Sequence, residues 1–280
     1  MGLSEPSARL LTALVEARTG QRCDTAGNWR VESRLGGVMA SRGLTDMDEL
    51  VGRIVAPGGA GLARDVVDAV LNNETYFFRD SETFNHIGRF IRHMHDRIEP
   101  GRTLRIWSAG CSTGQEIYSL ALLIAEELDG LEGRPVELLG TDVSTSAIRR
   151  AERGEYNQFE IQRGLPVRRM LRWFEQQGES WRVQPALRAM VRFRSHNILE
   201  AAPAGFFHLI LCRNVLMYFP GPAREAALAR FSDALVPEGG LVLGAGETVL
   251  GRSDRFRIAE DFRGIYEHLT DFPPRAARLG

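Results

Sequence analysis

One stretch in the middle of the chain, residues 104–116, restricts the fold more than any other feature. It consists of an apolar run, a loop of small residues with Gly110 and Gly114, and an amphipathic segment. This order predicts a strand, a tight turn and a helix, and glycine lets such a turn pass close to a ligand. A second apolar run, 136–141, is followed by Asp142, an acid that can accept hydrogen bonds from both hydroxyls of a ribose. The stretch therefore predicts a nucleoside site.

Apolar runs and amphipathic segments continue to alternate after this unit. The alternation predicts an α/β fold in which helices cover both faces of a parallel sheet, with the last two strands as an antiparallel pair at the sheet edge. The predicted strands are 104–109, 136–141, 190–196, 206–212, 239–245 and 264–269, and the predicted helices are 114–128, 144–153 and 221–235.

Two regions depart from the alternation. The N-terminal part carries apolar residues at helical spacing and predicts a small helical domain, and a segment with two tryptophans predicts a small inserted antiparallel β-subdomain. The predicted divisions are 1–71 for the helical domain, 72–99 for a linker and lid helix, and 100–280 for the nucleoside-binding domain with its insertion at about 155–190.

Composition narrows the class of protein. The 280 residues are 44% hydrophobic and 25% charged, with a net charge of −1, which is ordinary for a globular protein and gives no global basic excess for nucleic acid. No apolar run approaches the ~20 residues of a membrane span, and no signal peptide is recognisable. Cys23, Cys111 and Cys212 match no metal spacing, so we expect no metal and a reducing cytoplasm.

The linker carries a polar motif among apolar residues. Asn73, Thr75 and Arg79 lie around the adjacent pair Phe77 and Phe78, and buried polar side chains must be compensated. The polar residues can cap helices or form a lid over the polar end of a nucleoside. The loop at 110–116 favours the lid.

Polar residues also follow the third and fourth predicted strands. Asn197 and Ile198 follow one strand, and Arg213 and Asn214 follow the other, at the edge where ligands bind in parallel sheets. Taken alone, Asn197 fits a turn residue and an adenine contact equally well. Arg213 and Asn214 are the stronger signal because they come directly after a buried-looking run.

The loop also restricts the ligand. It lacks the third glycine of the dinucleotide fingerprint, and the chain contains no phosphate-binding loop of the G-x-x-x-x-G-K-[ST] type. A nucleoside without phosphates is therefore favoured, and S-adenosylmethionine is such a ligand. A nicotinamide-dependent dehydrogenase is the least favoured alternative.

Together these motifs resemble the bacterial chemotaxis receptor methyltransferases, the CheR family, over essentially the whole chain. The matching pieces are Asn73-x-Thr-x-Phe-Phe-Arg79, Trp107-Ser-Ala-Gly-Cys-Ser-Thr-Gly-Gln-Glu116-x-Tyr-Ser, Gly140-Thr-Asp142-x-Ser, Asn197-Ile-Leu and Cys212-Arg-Asn-Val-Leu-Met-Tyr-Phe219.

The resemblance implies a Rossmann-like, class I methyltransferase domain that moves a methyl group from S-adenosylmethionine to receptor glutamates and leaves S-adenosylhomocysteine. The implied partner is the cytoplasmic domain of a chemoreceptor, and we expect a cytoplasmic monomer. The positions carried over for the cofactor are Asn73, Thr75, Arg79, Gly110, Glu116, Asp142, Asn197, Ile198, Arg213 and Asn214.

Three of these implications concern the acceptor. Arg79 or Arg213 is nominated to hold the incoming carboxylate, with Tyr218 as a neighbouring wall. Family members that grip a receptor's C-terminal pentapeptide carry a longer glycine-rich loop in the subdomain, whereas this chain has only 175–180 there. We therefore expect action that is independent of the pentapeptide.

The segment that is often rich in basic residues in the family is sparser here, with Arg30, Arg34 and Arg42 interrupted by Glu32. Two alternatives therefore stay open. The chain can be a signalling module that binds S-adenosylmethionine or S-adenosylhomocysteine without turnover, or a methyltransferase with an acceptor outside chemotaxis.

Overall fold

A seven-stranded, mostly parallel sheet carries the loop at 110–114. It is seen in a computed structural model of the chain, which describes residues 4–22, 28–99, 101–127 and 135–269. The strands of the chain are β1 (Leu104–Ala109), β2 (Val136–Asp142), β3 (Glu155–Asn157), β4 (Phe174–Gln177), β5 (Ser180–Val183), β6 (Val191–Ser195), β7 (Phe207–Cys212), β8 (Leu235–Leu243), β9 (Phe256–Ile258) and β10 (Ile265–His268).

Helices precede the sheet and connect its strands. Those of the described residues are α1 (Glu5–Thr19), α2 (Asn28–Ser41), α3 (Met47–Val55), α4 (Ala60–Val70), α5 (Ser81–Arg97), α6 (Gln115–Glu127), α7 (Thr145–Arg153), α8 (Gln158–Gln162), α9 (Val167–Trp173), α10 (Pro185–Ala189) and α11 (Gly221–Ala234).

The strand order confirms the predicted α/β fold. The order across the sheet is β6-β2-β1-β7-β8-β10-β9, and the neighbours from β6 to β8 are parallel. Strand β10 is antiparallel to β8, as predicted. The outermost strand is β9 and not β10. A strand of three residues is too short to be recognised from an alternating pattern in the sequence. The order reverses between β1 and β7, the point at which open α/β sheets bind ligands.

The two faces of the sheet have separate hydrophobic cores. Ile106 and Trp107 are neighbours in β1 and both are fully buried, but they belong to different clusters because successive strand residues point to opposite faces. Helix α6 packs in the cluster of Ile106, and α11 packs in that of Trp107. The indole Nε1 of Trp107 donates to Thr141 Oγ1 at 2.9 Å, which ties β1 to β2.

The N-terminal helices α1 to α4 pack around a core of their own, centred on Leu11, Leu35, Leu50 and Val66. This group contacts the sheet domain where Asp68 of α4 accepts hydrogen bonds from the hydroxyl and backbone N–H groups that begin α7. The division of the chain at 71 and 99 stays a prediction, with which this separate core agrees.

The insertion between α7 and β6 contains a second sheet. Its three antiparallel strands are ordered β3-β5-β4, and a two-residue turn, Gly178–Glu179, joins β4 to β5. The sequence pattern indicated the hairpin of β4 and β5 but not β3. Three short helices, α8 to α10, flank the small sheet.

Candidate cofactor site

A cavity opens at the carboxyl ends of β1, β2, β6 and β7, where the strand order reverses. Its walls come from the loop after each of these strands, from the linker before α5 and from the residues around the end of α1. All of the candidate site residues line this cavity: Asn73, Thr75, Arg79, Gly110, Glu116, Asp142, Asn197, Ile198, Arg213, Asn214 and Tyr218.

The loop after β1 is shaped by glycine. Gly110 has φ +85°, and a Cβ on it would lie 2.5 Å from Val215 Cγ2. Its backbone N–H and that of Cys111 both donate to Thr141 O, at 2.7 and 2.8 Å, which holds the loop against the end of β2. Any side chain at Gly110 would therefore strain the backbone and push this loop away from Val215 in the loop after β7.

Asp142 combines burial with unused acceptor capacity. The residue is 8% exposed, and burial raises the pKa of its carboxyl above the ordinary value. Its Oδ2 accepts from Ser112 N at 2.8 Å and its Oδ1 accepts from Ser144 N at 2.9 Å. A carboxylate has about four acceptor positions. The two backbone bonds therefore fix its orientation and leave capacity for two further donors from the cavity.

Arg213 is enclosed by carboxylates. Its side chain is 2% exposed; Nη1 lies 3.2 Å from Glu116 Oε2, and Nη2 lies 2.6 Å from Asp80 Oδ2. Nη2 also donates to Arg79 O at 2.9 Å. Glu116 in turn accepts from Ser108 Oγ at 2.8 Å. Two carboxylates therefore already neutralise the charge of Arg213. Through these ion pairs Arg213 joins Asp80, at the end of the linker, to Glu116 of α6.

Asp80 takes part in the site although the sequence did not indicate a role for it there. It occupies the N-cap position of α5, with φ +60°. Its side chain makes no capping hydrogen bond, since the carboxylate pairs with Arg213 instead. The ion pair spans 133 positions of the chain, so local patterns give no signal for it.

The linker lies over the cavity and is anchored on both sides. Ser112 Oγ donates to Asn73 O at 2.8 Å, and Phe78 N donates to Ser119 Oγ at 3.0 Å. Phe77 and Phe78 are buried in the core. These contacts hold Asn73, Thr75 and Arg79 at the cavity wall, which is compatible with a covering role.

Arg79 differs from Arg213 in its surroundings. Its guanidinium carbon lies 5.4 Å from the centre of the Tyr76 ring, and it is half-buried. Within residues 4–22, 28–99, 101–127 and 135–269, no carboxylate forms an ion pair with Arg79. Glu74 feels its charge, but this carboxylate is itself paired with Arg163 at 2.7 Å. The guanidinium of Arg79 therefore keeps donors for a ligand in the cavity.

Asn197 makes the contacts of a turn residue here. Its Oδ1 accepts from Leu199 N at 3.0 Å, and its Nδ2 donates to Arg18 O at 3.3 Å. Its role at an adenine edge stays a prediction. The preceding residue, His196, belongs to the same polar segment but was not among the predicted site residues; it is buried at the cavity wall, and burial lowers the pKa of its imidazole.

Tyr218 is held from two sides. The amide Nδ2 of Asn72 donates to the phenol oxygen of Tyr218 at 2.6 Å, and Arg22 N donates to Tyr218 O at 2.7 Å. Asn72 is another residue that the sequence did not indicate, since its partner lies 146 positions away.

These residues fit S-adenosylmethionine. Asp142 can accept from two ribose hydroxyls, and Glu116 offers negative charge toward an amino group. Buried polar atoms without a protein partner, Asn214 Oδ1 and His196 Nε2, remain for a polar ligand. Among the described residues, no group of three His, Cys, Asp or Glu side chains could hold a metal ion, and no described helix is long and apolar enough to cross a membrane.

The sheet order and the polar cavity at its switch point are those of an α/β protein that binds a nucleoside ligand. A family model described as "CheR methyltransferase, SAM binding domain" matches residues 73–265. The chain therefore belongs to the CheR methyltransferase family, as its motifs predicted, and S-adenosylmethionine is its cofactor.

Several curated proteins are similar over most of the chain. Chemotaxis protein methyltransferase Cher2 of Pseudomonas putida is 38% identical over 240 residues, covering 84% of this chain and 87% of that protein. Chemotaxis protein methyltransferase 1 of Pseudomonas aeruginosa is 36% identical over 95% of this chain and 98% of its own length. A chemotaxis protein methyltransferase of Vibrio anguillarum is 31% identical over 94% of this chain and 96% of its own.

One solved structure, the glycopeptide N-methyltransferase MtfA with S-adenosyl-L-methionine, aligns with 56% of this chain and 53% of its own at 12% identity and a TM-score of 0.33. The fold class therefore rests on the strand order and the family match and not on this likeness.

Proposed function

We propose that the chain transfers a methyl group from S-adenosylmethionine to side-chain carboxylates of glutamates in the cytoplasmic domain of chemoreceptors. The products are glutamyl methyl esters and S-adenosylhomocysteine. The proposal is supported by relatives named as chemotaxis methyltransferases. The observation that carries it is the lining of the cavity. Arg79, which forms no ion pair among the described residues, and Tyr218 lie in the same cavity as the residues that fit the cofactor.

The chemistry asks little of the protein in acid–base terms. S-adenosylmethionine supplies an electrophilic methyl carbon on a positive sulfur. In the transfer, a carboxylate oxygen forms a bond to that carbon while the carbon–sulfur bond breaks and its electron pair stays on sulfur. A glutamate is ionised at neutral pH, with an ordinary pKa of about 4.3, so no general base is needed. Alignment and partial desolvation then provide the catalysis.

Arg79 is the better of the two arginines for the acceptor carboxylate. Arg213 already pairs with Glu116 and Asp80, and a third carboxylate would meet excess negative charge. Arg79 has no such partner among the described residues and lines the same cavity. We assign Arg79 to orient the acceptor, and Tyr218 to form the adjoining wall with its phenol.

The cofactor roles follow from the same contacts. Asp142 would hold the ribose, and Glu116 the amino group. Asn73, Thr75 and the backbone of Gly110 would enclose the cofactor. Ile198 and Asn197 would flank the adenine. Asn214 and Arg213 would complete the pocket, because Asn214 Oδ1 and Arg213 Nε are buried without a hydrogen-bond partner.

Transfer of label tests the proposal. The protein is incubated with S-adenosylmethionine labelled in the methyl group and with membranes that carry the source organism's receptors, and methanol released by base is counted. Carboxyl methylation predicts base-labile methanol, which is lost in Asp142→Ala. Circular dichroism of the variant checks that it is folded.

Two results would favour the alternative functions. Cofactor binding without methanol, across several receptor preparations, would favour a binding module that does not turn over. Methanol that arises only from proteins other than receptors would leave a carboxyl methyltransferase with an acceptor outside chemotaxis.

The insertion supports pentapeptide-independent action. Its β4–β5 connection is a two-residue turn, which leaves no long loop to grip a peptide. We expect no heat of binding when the C-terminal pentapeptide of a chemoreceptor is titrated into the protein loaded with S-adenosylhomocysteine. Tight binding in that titration would overturn this part of the proposal.

A further inference from the structure

An open surface groove adjoins the cofactor cavity. Tyr218 and Phe219 line both, so the same residues that wall the cavity also form one end of the groove. A second depression continues past it and shares Met217 and Arg224 with it. We call this surface the Met217 groove; its lining residues used below are Arg22, Met217, Tyr218, Arg224, Arg252 and, at the rim, Glu16.

The Met217 groove is basic. Three arginines line it against one carboxylate, Glu16. Arg22 and Arg252 are exposed, and within the described part of the chain neither forms an ion pair. Among the described residues, neither side chain would therefore have to break an ion pair to reach a bound anionic partner.

Arg224 is a fixed cation in the same groove. Its Nε donates to Phe219 O at 2.7 Å and its Nη2 donates to Met217 O at 3.1 Å. These acceptors are neutral carbonyls, so they hold the guanidinium in place without cancelling its charge. A guanidinium has five N–H donors, and three are left for a ligand.

Glu247 is the carboxylate that lines the adjoining depression. Its Oε2 accepts from the backbone N–H groups of Asn214 and Gly244, and its Oε1 accepts from Met217 N. These neutral donors hold Glu247 in place beside the loop that carries Met217, but they do not cancel its charge. Over the two depressions together, three arginines face two carboxylates, Glu16 and Glu247, so an excess of positive charge remains.

Met217 adds an adaptable apolar contact. The residue is 54% exposed although it stands in the loop between the cavity and the groove. An exposed methionine can repack against partners of different shape, because its side chain is unbranched and flexible.

We propose that the Met217 groove seats a carboxylate-rich segment of the acceptor protein, next to the glutamate that receives the methyl group. The inference rests on the proposed function, since it names the surface that guides the acceptor to the cavity. Charge complementarity identifies the occupant, and the shared Tyr218 gives it a path to the methyl donor. The arginines would contact carboxylates that flank the acceptor glutamate.

The experiment measures binding and transfer separately. The full chain, loaded with S-adenosylhomocysteine, is titrated with a soluble cytoplasmic fragment of a chemoreceptor from the source organism, and methyl transfer to the same fragment is measured in parallel. The variants are Arg22→Glu with Arg252→Glu, and separately Met217→Glu. The matched control is Arg192→Glu, an exposed arginine of β6 at the far edge of the sheet.

We expect both groove variants to weaken fragment binding at least tenfold and to raise KM by a similar factor. Their kcat and their affinity for S-adenosylhomocysteine stay within about twofold of the parent. Fragment binding by the variants that introduce glutamate depends less steeply on salt concentration than binding by the parent, as expected when charges at an interface rim are lost. Arg192→Glu behaves like the parent.

The outcomes separate the two proposals. Unchanged fragment binding in both groove variants, while the parent methylates the fragment, overturns the groove and leaves the function standing. Groove-dependent binding without any methyl transfer overturns the function and leaves the groove only as a docking surface for the carboxylate-rich segment. If sedimentation shows that the groove variants abolish self-association instead, a second copy of the chain occupies the surface and the inference is wrong.

Discussion

The guanidinium of Arg213 lies 3.2 Å from the carboxylate of Glu116, and both residues line the cofactor cavity. Both side chains are largely removed from solvent, so each depends on the other for compensation of its charge. This pair links the loop after β7 to the start of α6. It therefore couples the stability of the fold to the integrity of the cofactor site.

Glu116→Gln tests that coupling. The neutral amide leaves Arg213 with one carboxylate, Asp80, so we expect the free energy of unfolding to fall by about 1–3 kcal/mol. Affinity for S-adenosylmethionine falls as well, because the amino group loses its counter-charge. Denaturant unfolding and calorimetry measure the two effects. The control, Glu99→Gln, removes an exposed ion pair with Arg102 and should change neither; equal effects of both substitutions would refute the coupling.

Asn72 and Tyr218 are expected to act as one unit. The Asn72 amide donates to the phenol oxygen at 2.6 Å, so the phenol proton remains free to be donated to another group. We predict that Asn72→Ala and Tyr218→Phe each lower kcat about tenfold, and that the double variant is little worse than either. Additive losses in this double-mutant cycle would show that the two side chains act independently.

The pH dependence of cofactor binding should report on Asp142. Burial raises the pKa of this carboxyl, so protonation begins at higher pH than for an ordinary aspartate. The protonated form loses acceptor capacity for the ribose. We expect affinity for S-adenosylhomocysteine to fall on acidification, and the fall to begin at a higher pH than the protonation of an ordinary aspartate would give. In Asp142→Ala the weak residual affinity should not vary over the same pH series; the same pH profile in both proteins would contradict the assignment.

Stability should change with pH in the opposite sense. In the cofactor-free protein, folded Asp142 holds its proton at pH values where the unfolded chain has lost it. Its contribution to the free energy of unfolding is therefore greatest below the ordinary pKa of 3.8 and decreases as pH rises through the raised pKa. Thermal unfolding over the same pH series, compared with Asp142→Ala, isolates this contribution.

Gly110→Ala should damage the site through the backbone. The residue has φ +85°, and the new Cβ would meet Val215. Strain of about 1–3 kcal/mol is expected in the free energy of unfolding, with a loss of cofactor affinity. Gly52→Ala is the control, because this helical glycine of α3 has open space around its Cβ position; alanine there should stabilise by up to about 1 kcal/mol. Retained affinity in Gly110→Ala would show that the loop tolerates a side chain.

Long, buried elements were predictable from the sequence. Strands such as β1 and β7 are almost wholly buried, so their apolar runs stand out, and α6 follows a glycine turn that marks its start. Strands β3 and β9 have three residues each, which is too short for a periodic pattern. Their positions are set by pairing with strands elsewhere in the chain.

The residues of the site also fall into those that the sequence indicated and those that it did not. Gly110, Asp142 and Arg213 were indicated because residues that follow parallel strands meet at one edge of the sheet. Asp80 and Asn72 were missed because their partners lie more than a hundred positions away. The sequence also left Arg79 and Arg213 equivalent as acceptor residues; the distinction depends on which carboxylates surround each guanidinium.

The most direct test of the central claim is to identify the methylated atom. A receptor fragment incubated with the protein and S-adenosylmethionine is digested at mildly acidic pH, and the modified residue is located by mass spectrometry. We predict methyl esters on glutamate side chains that disappear after treatment with base. A base-stable methyl group on a nitrogen, or modification confined to other residue types, would contradict it.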